Sequence, residues 1–333
     1  MKKILIIRFS SIGDIVLTTP VIRCLKKQIP DAEIHYCTKK QYEPVLSANP
    51  FINRIHCLED GLVKLASLLK KEKFDFVIDL HNNLRSAILK IILCRPVGSF
   101  PKLNLEKWLI VRFKINRLPD IHIVDRYFKA AARLNISNDG QGLDYFIPES
   151  DSYHSSWLPE SHQKGFIGFV IGGKHNTKIF PMEKVLAVCK LLDFHVVLLG
   201  GKEDRHNGEK ITNVLPEKVF NSCGLFSVNR SAALVQQASL IITNDTGLMH
   251  IAAAFKKKIV SLWGNTIPEF GMYPYLPEEL KHNSVIFEIK DLDCRPCSKI
   301  GFDECPKKHF NCMNLLDVSV IAKTANKLAD SQK

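Results

Sequence analysis

Four short stretches of this 333-residue chain hold the residue types that proton transfer and phosphate handling require. The first is Arg8-Phe9-Ser10-Ser11-Ile12-Gly13-Asp14, between an apolar run and a helical pattern. Ser10, Ser11 and Gly13 are small, so backbone N–H groups can approach a ligand there. Asp14 can take a proton from a hydroxyl, or it can cap the helix that starts beside it, the commoner role for an acid in that place. The second stretch, Gly172 to Pro181, has two glycines after an apolar run, then Lys174, Thr177 and Lys178. Glycines permit close backbone approach and lysine brings a point charge to phosphate; a plain surface loop is the alternative. The Walker pattern GxxxxGK[ST] is absent.

The third stretch, Thr243 to Phe255, ends a strand pattern and opens a helix at Asp245-Thr246-Gly247-Leu248. Free N–H groups and the helix dipole at such a turn attract phosphate, and Thr246 adds a hydroxyl. Asp245, an anion, suits a sugar hydroxyl instead. His250 falls in the first helical turn, where a histidine is either structural or part of the same site. The fourth stretch, Trp263 to Tyr275, is a turn-rich loop with Gly264, Thr266 and Pro268.

Four of the ten cysteines cluster as Cys294, Cys297, Cys305 and Cys312, with His309 among them. The spacing C-x2-C-x7-C-x6-C has metal-ligand character, and thiolates with or without a histidine suit a structural zinc. Free thiols in a loop are the alternative. The other six cysteines fall at strand or helix positions and read as small core residues.

The elements that must position these residues alternate regularly. Apolar strand patterns at 3–8, 34–38, 54–58 and 74–80 are separated by helical ones, and Pro20 should kink or restart the first helix. A polar stretch at 146–165, with Pro148 and Pro159, has linker composition. The alternation restarts at 166–171, 195–200, 218–222, 239–244 and 258–264. Pro181 suits a first helical turn, and Ser227 an N-cap. The chain is therefore α/β, two halves with parallel sheets, 1–150 and 151–333, the second carrying the cysteine-rich segment 294–312. Ligands of such sheets bind at the carboxyl ends of strands, so facing halves would form a cleft.

The formal charge is +12, and it is uneven. Residues 1–150 hold 24 Lys and Arg against 15 Asp and Glu, a net +9, while the remainder holds 22 against 19. An anionic partner is expected for the first half. No zinc-finger, RRM or KH pattern appears, which ranks nucleic acid low. No apolar run reaches the ~18 residues of a membrane span. Arg8 interrupts the N-terminal apolar stretch before it reaches a signal-peptide length, so a cytoplasmic protein is expected.

These motifs together resemble glycosyltransferase family 9, the heptosyltransferases of lipopolysaccharide synthesis. The resemblance rests on RFSSIGDIVLTTPVIRCLKKQIPDAEI, on DLHNNLRSA at 79–87, on KIFPMEK at 178–184, and on NDTGLMHIAAA at 244–254 with the following WGNTIP. It implies a GT-B architecture of two Rossmann-like domains, an acceptor-binding first domain and a second domain that binds ADP-heptose. It implies inverting transfer with no cofactor required. Asp14 matches the family's catalytic aspartate and Lys178 the lysine at the donor pyrophosphate. Asp245, Thr246, Gly247 and His250 match its donor-binding turn and helix, beside Thr177 and Leu248. Glu203, in Gly-Gly-Lys-Glu-Asp, is placed to meet the adenosine ribose or is a solvated loop residue. Phe180 and Asn265 depart from a frequent tryptophan and proline.

Ser10, Ser11, Gly13, His81, Asn83 and Arg85 are the expected acceptor contacts. Arg112, Arg117 and Arg126 flank a less regular stretch, and their charge suits a lipid-linked anionic core oligosaccharide. Peripheral, salt-sensitive association with the cytoplasmic face of the inner membrane follows. The alternatives are another nucleotide-sugar or acceptor, a nucleotide-sugar epimerase, a two-domain binding protein, and a nicotinamide dehydrogenase.

Overall fold

The computed structural model describes residues 2–330. They form two α/β units, 1–102 with 121–148, and 103–120 with 149–333. In chain order the first part contains β1 (Lys3–Ile7), α1 (Ile12–Val16), α2 (Thr19–Gln28), β2 (Glu33–Lys39), β3 (Arg54–Leu58), α3 (Leu62–Lys71), β4 (Phe76–Asp79), α4 (Leu84–Leu93), β5 (Val97–Ser99), α5 (Asn104–Phe113) and α6 (Ile123–Phe128). The second contains α7 (Glu160–Gln163), β6 (Phe166–Val170), α8 (Met182–Leu191), β7 (His195–Leu199), α9 (Arg205–Val214), β8 (Val219–Asn221), α10 (Val228–Gln237), β9 (Leu240–Asn244), α11 (Gly247–Ala254), β10 (Ile259–Trp263), β11 (Ser284–Glu288), α12 (Asn311–Asn314) and α13 (Val318–Asp330).

Both sheets are parallel throughout. The first has strand order β3-β2-β1-β4-β5 and the second β11-β10-β9-β6-β7-β8. Every sequence-expected strand is present within a residue or two. Their near-continuous Val, Ile and Leu runs reflect burial on both faces, as parallel sheets require. The sequence reading missed β5 and β11, both edge strands. β5 is three residues around Gly98, where a side chain would collide with the Ala130 carbonyl oxygen. The cores follow the sheets. Leu5, Ile7, Phe9, Leu65, Phe74, Val77 and Leu89 pack in the first unit. Phe169, Phe180, Val188, Leu198, Ile242, Leu262 and Ile321 pack in the second.

Pro20 restarts the helix as expected. α1 stops at Val16, and Pro20 sits in the first turn of α2. Ser227 caps α10, its side chain accepting from the Arg230 N–H at 3.2 Å. Pro181 precedes α8 as its N-cap instead of filling its first turn.

The expected division at 150 is corrected in one segment. The boundary in the linker lies at 148/149, but residues 103–120 group with the second unit. The reason is apolar packing: Ile110 of α5 is buried against Ile267 and Phe270. The stretch read as less regular is so at 114–122, between α5 and α6, though Arg112 and Arg126 themselves lie in those helices. Arg126, expected at an acceptor surface, is buried in α6. No helix among the described residues is long and apolar enough to cross a membrane.

Candidate active site

In the first unit the site starts at the carboxyl end of β1. Ser11 is the N-cap of α1 and Asp14 its third residue. Asp14 Oδ2 accepts hydrogen bonds from the Ser11 N–H at 3.1 Å and the Ser11 hydroxyl at 2.8 Å. Such a box satisfies a helix-start donor that would otherwise be unpaired. Asp14 thus has a capping function, though not at the N-cap position. Its other oxygen, Oδ1, pairs with Arg8 Nη2 at 2.5 Å.

Arg8 is buried, and each face of its guanidinium is used. Nε donates to Ser10 O at 2.9 Å, and Nη1 donates to Leu80 O at 2.5 Å and to the Tyr127 hydroxyl at 3.1 Å. Burial opposes its charge, but Asp14, Tyr127 and Tyr36 together outweigh burial, so its proton is held more tightly than usual. The Asp14 carboxylate is therefore oriented by a cation that is itself fixed at three other points. Ser10 contributes its carbonyl to this arrangement, and Gly13 is buried in α1.

His81 lies just past β4, its ring edge-on to Phe9 with centroids 5.2 Å apart. Burial, then the positive charges of Arg8 and Lys102, push its pKa down to about 4, so the imidazole is neutral at pH 7. Its buried Nδ1 has no hydrogen-bond partner in the protein. Asn83 is committed to structure. It caps α4, accepting from Ser86 N–H at 3.0 Å, while Ser86 Oγ accepts from Asn83 N–H at 2.9 Å. Arg85 stands exposed on the first turn of α4.

Asp79 was not singled out from the sequence, yet it organises this loop. It is fully buried and accepts from His81 N–H at 3.0 Å, Asn82 N–H at 2.7 Å and Ser86 Oγ at 2.8 Å. Lys90 neutralises it at 2.8 Å. A strand-final aspartate followed by two asparagines was the available signal.

In the second unit the site is built from loops after β6, β7, β9 and β10. Lys178 Nζ lies 2.5 Å from Asp245 Oδ2, which also accepts from the Thr266 hydroxyl at 3.0 Å. Asn244, buried at the end of β9, ties the neighbouring loops together. Its Oδ1 accepts from Phe180 N–H at 3.1 Å, and its Nδ2 donates to Val170 O and Gly172 O at 3.3 Å. Thr246 is the N-cap of α11, so the N–H groups of Gly247 and Leu248 open its first turn. Gly173 brings its backbone beside the Thr246 methyl, where a Cβ would sit 3.6 Å away.

Other expected contacts are placed differently. Thr177 is buried, and its hydroxyl is committed to the segment at 302: it donates to Phe302 O at 3.1 Å and accepts from Phe302 N–H at 2.8 Å. His250 is buried in α11. Glu203 is exposed, whereas its neighbour Asp204 is buried against Gly172, where any side chain would collide with its carboxylate. Asp204 Oδ2 accepts from Gly201 N–H at 2.8 Å, and burial raises its pKa.

Cys294, Cys297, Cys305, Cys312 and His309 line one small pocket, open in part to solvent, with Asn265 and Arg295. Cys294 Sγ is 3.8 Å from His309 Nε2. Burial raises the Cys297 thiol, and pushes that of Cys312 up to about 12. The donor types suit a soft ion; their spacing does not fit a tetrahedral site. Among the described residues one trio of ligand atoms lies within 4.8 Å of one another, and it is His35, His56 and Glu72. That trio is already bonded: His35 Nδ1 to His56 Nε2 at 2.8 Å, and Glu72 to Lys3 and Arg54.

The missed residue of the cysteine segment is Arg295. Its guanidinium donates to Gly264 O at 2.7 Å, Thr266 O at 2.8 Å and Ile289 O at 3.1 Å, and pairs with Glu288 at 2.8 Å. It therefore fixes the loop from which Thr266 reaches Asp245.

The model of a family described as glycosyltransferase family 9 (heptosyltransferase) matches residues 62–306. The chain is 27% identical over 288 residues to lipopolysaccharide heptosyltransferase 1 of Campylobacter coli, covering 79% of this chain and 84% of that one. Its fold is similar to a family 9 glycosyltransferase from Veillonella parvula, with TM-score 0.77, 24% identity and coverage of 99% and 98%. It is also similar to the E. coli ADP-heptose lps heptosyltransferase II, with TM-score 0.73, 23% identity and coverage of 100% and 99%. The two Rossmann-like units are those of the GT-B class.

Proposed function

The chain belongs to glycosyltransferase family 9, and from that premise we propose that it transfers a heptose from ADP-heptose to an anionic inner-core acceptor of lipopolysaccharide. The observation that carries the reading is the Arg8–Asp14 pair at the carboxyl end of β1. A carboxylate is held there at 2.5 Å from a fully engaged cation.

Inverting transfer is one in-line displacement. The acceptor oxygen bonds to the anomeric carbon as the bond from that carbon to the diphosphate oxygen breaks. The acceptor proton passes to Asp14, and ADP leaves with the bonding pair. A positioned carboxylate base contributes about 10²–10⁴-fold. Ser11 and Arg8 occupy known lone pairs of Asp14, so the proton is taken in a fixed direction. No metal is required in this scheme. Lys178 gives one N–H to Asp245, which leaves donors for the diphosphate oxygens. The N–H groups of Gly247 and Leu248, at the positive end of α11, hold the same charge as it develops. Asp245, steadied by Lys178 and Thr266, orients a donor hydroxyl, and Glu203 reaches the ribose. On the acceptor side the neutral His81 offers a nitrogen to a sugar hydroxyl. Arg85 offers charge to a phosphate, and Ser10, Ser11, Gly13 and Asn83 shape the loop walls.

The enzyme works at the cytoplasmic face of the inner membrane, where a lipid-linked acceptor is presented. A structural ion, zinc by its donor types, is kept in this reading as a stability element. It requires the thiols of Cys294, Cys297, Cys305 and Cys312 to close in. Stoichiometric metal after anaerobic purification supports it, and less than that removes it.

The test of function is a donor screen with delipidated core acceptor. Transfer from ADP-heptose, and none from UDP- or GDP-sugars, is expected. Transfer from another nucleotide-sugar alone overturns the donor assignment.

A further inference from the structure

α5 presents its apolar side outward. At about 100° per residue, Leu105, Trp108 and Arg112 fall on one arc of this helix, roughly opposite Ile110, and Phe113 lies on the flank between that arc and Ile110. Ile110 alone on α5 is fully buried, against Ile267 and Phe270. Leu105, Trp108 and Phe113, with Ile115 just beyond, are 47–64% exposed. Trp108 and Phe113 pack edge to face on each other at 5.2 Å, forming one aromatic ridge. A helix with its apolar arc in water marks an interaction surface.

Charge identifies the occupant. Lys102, Lys107, Arg112, Lys114 and Arg117 stand against Glu106 alone between residues 102 and 117. Lys107 and Lys114 already have partners within their own unit, although Lys114 stays exposed. Lys107 Nζ lies over the Phe270 ring at 5.7 Å, and Lys114 Nζ donates to Pro296 O at 2.7 Å. Arg112, on the arc of Leu105 and Trp108, and Arg117, four residues past α5, stay exposed. A second copy of this face would oppose like charges. An anionic bilayer offers acyl chains to the ridge and phosphate to the arginines, the two signals that peripheral binding needs.

We propose that α5 and residues 114–117 are the element by which this protein sits on an anionic lipid surface, Leu105, Trp108 and Phe113 entering the headgroup boundary. The proposal rests on the membrane-side part of the reading above, and is independent of the sugar transferred. Exposed aromatic side chains are at home at that depth.

The experiment is co-sedimentation of the full chain with vesicles of roughly one part phosphatidylglycerol to three of phosphatidylcholine, and with phosphatidylcholine alone. Binding to the anionic vesicles, weakened by salt, is expected. The variant Leu105→Ser/Trp108→Ser/Phe113→Ser should bind them at least ~10-fold more weakly, with an unchanged melting temperature and unchanged transfer to delipidated acceptor. Arg112→Glu/Arg117→Glu should remove the preference for anionic lipid. A wild-type chain that ignores both vesicles overturns the proposal. So does a folded triple variant that binds as well as wild type, or one whose only change is loss of a dimer. If the wild type binds vesicles but transfers nothing to delipidated acceptor, the functional reading fails and the lipid surface stands.

Discussion

Two turns in this molecule share one local grammar: a buried parallel strand, a short loop with an aspartate, and a helix start. After β1 the aspartate is Asp14, and after β9 it is Asp245. Asp14 is held from within its own loop, by Ser11 three residues back and Arg8 six residues back. Asp245 precedes its helix, and its partners Lys178 and Thr266 come from loops 67 and 21 residues away. The first arrangement makes a carboxylate whose direction is fixed before any ligand arrives. The second makes a charged pair whose members come from different loops, so a diphosphate and a sugar hydroxyl can each engage one. Under the proposed function, that difference is what would separate a proton acceptor from a binding clamp.

The largest effect should come from breaking the first turn. Asp14→Ala is expected to lower kcat by about 10²–10⁴-fold while leaving ADP binding unchanged, measured by calorimetry beside steady-state kinetics. A loss below tenfold would return Asp14 to a purely capping role. Breaking the second turn should act on both quantities. Lys178→Ala is expected to cost about 10²-fold in kcat/KM and to weaken ADP binding, and unchanged ADP affinity would sink the clamp.

The support beneath each turn can be tested by stability. Asp79→Ala strips Lys90 of its buried partner, and about 3 kcal/mol of lost stability is expected from urea unfolding. A change below 1 kcal/mol would mean that solvent compensates Lys90. Gly172→Ala should cost about 1–3 kcal/mol and loosen ADP binding, because its methyl collides with Asp204. Wild-type ADP affinity in that variant would show that the loop yields without cost.

A further effect is one of pH. The pKa values of His56 and His81, both in the first unit, are lowered from 6.5 to about 4 by burial. The unfolded chain binds protons that the folded chain refuses. Their contribution is complete above pH 6.5 and is lost as pH falls towards about 4. The urea midpoint should drop across that window, and less steeply in His56→Gln/His81→Gln. An equal slope in that variant would assign the drop to other groups.

Much of this was legible because it is local. Nine of the eleven strands, the restart at Pro20 and the cap at Ser227 are written in neighbouring residues. Asp14, Lys178 and Asp245 stood out because their types and the loops around them were visible without a fold. Arg295 and Asp204 did not stand out, since what defines them lies far off in sequence, whereas Asp79 has all its partners within eleven residues and is hidden only in its burial. Arg295 reaches Gly264, and Asp204 is defined by the close approach of Gly172. Thr177 shows the converse: its type and position suggested a ligand contact, and a backbone at 302 claimed its hydroxyl.

The sequence alone determined two parallel α/β units, the places where their loops carry chemistry, and an excess of positive charge in the first 150 residues. These follow from periodicity, turn chemistry and composition, which act over a few residues or need no geometry. Only the tertiary structure decided that Arg8 holds Asp14 through contacts as distant as Tyr127, that Thr266 completes the Asp245 pair, and that residues 103–120 belong with the second unit. Hydrogen bonds and apolar contacts form between whatever the folded chain brings together, and sequence separation does not limit them. The same applies to α5. Its composition gave no clear amphipathic signal, and its outward apolar face became visible only once Ile110 had been buried on Ile267 and Phe270.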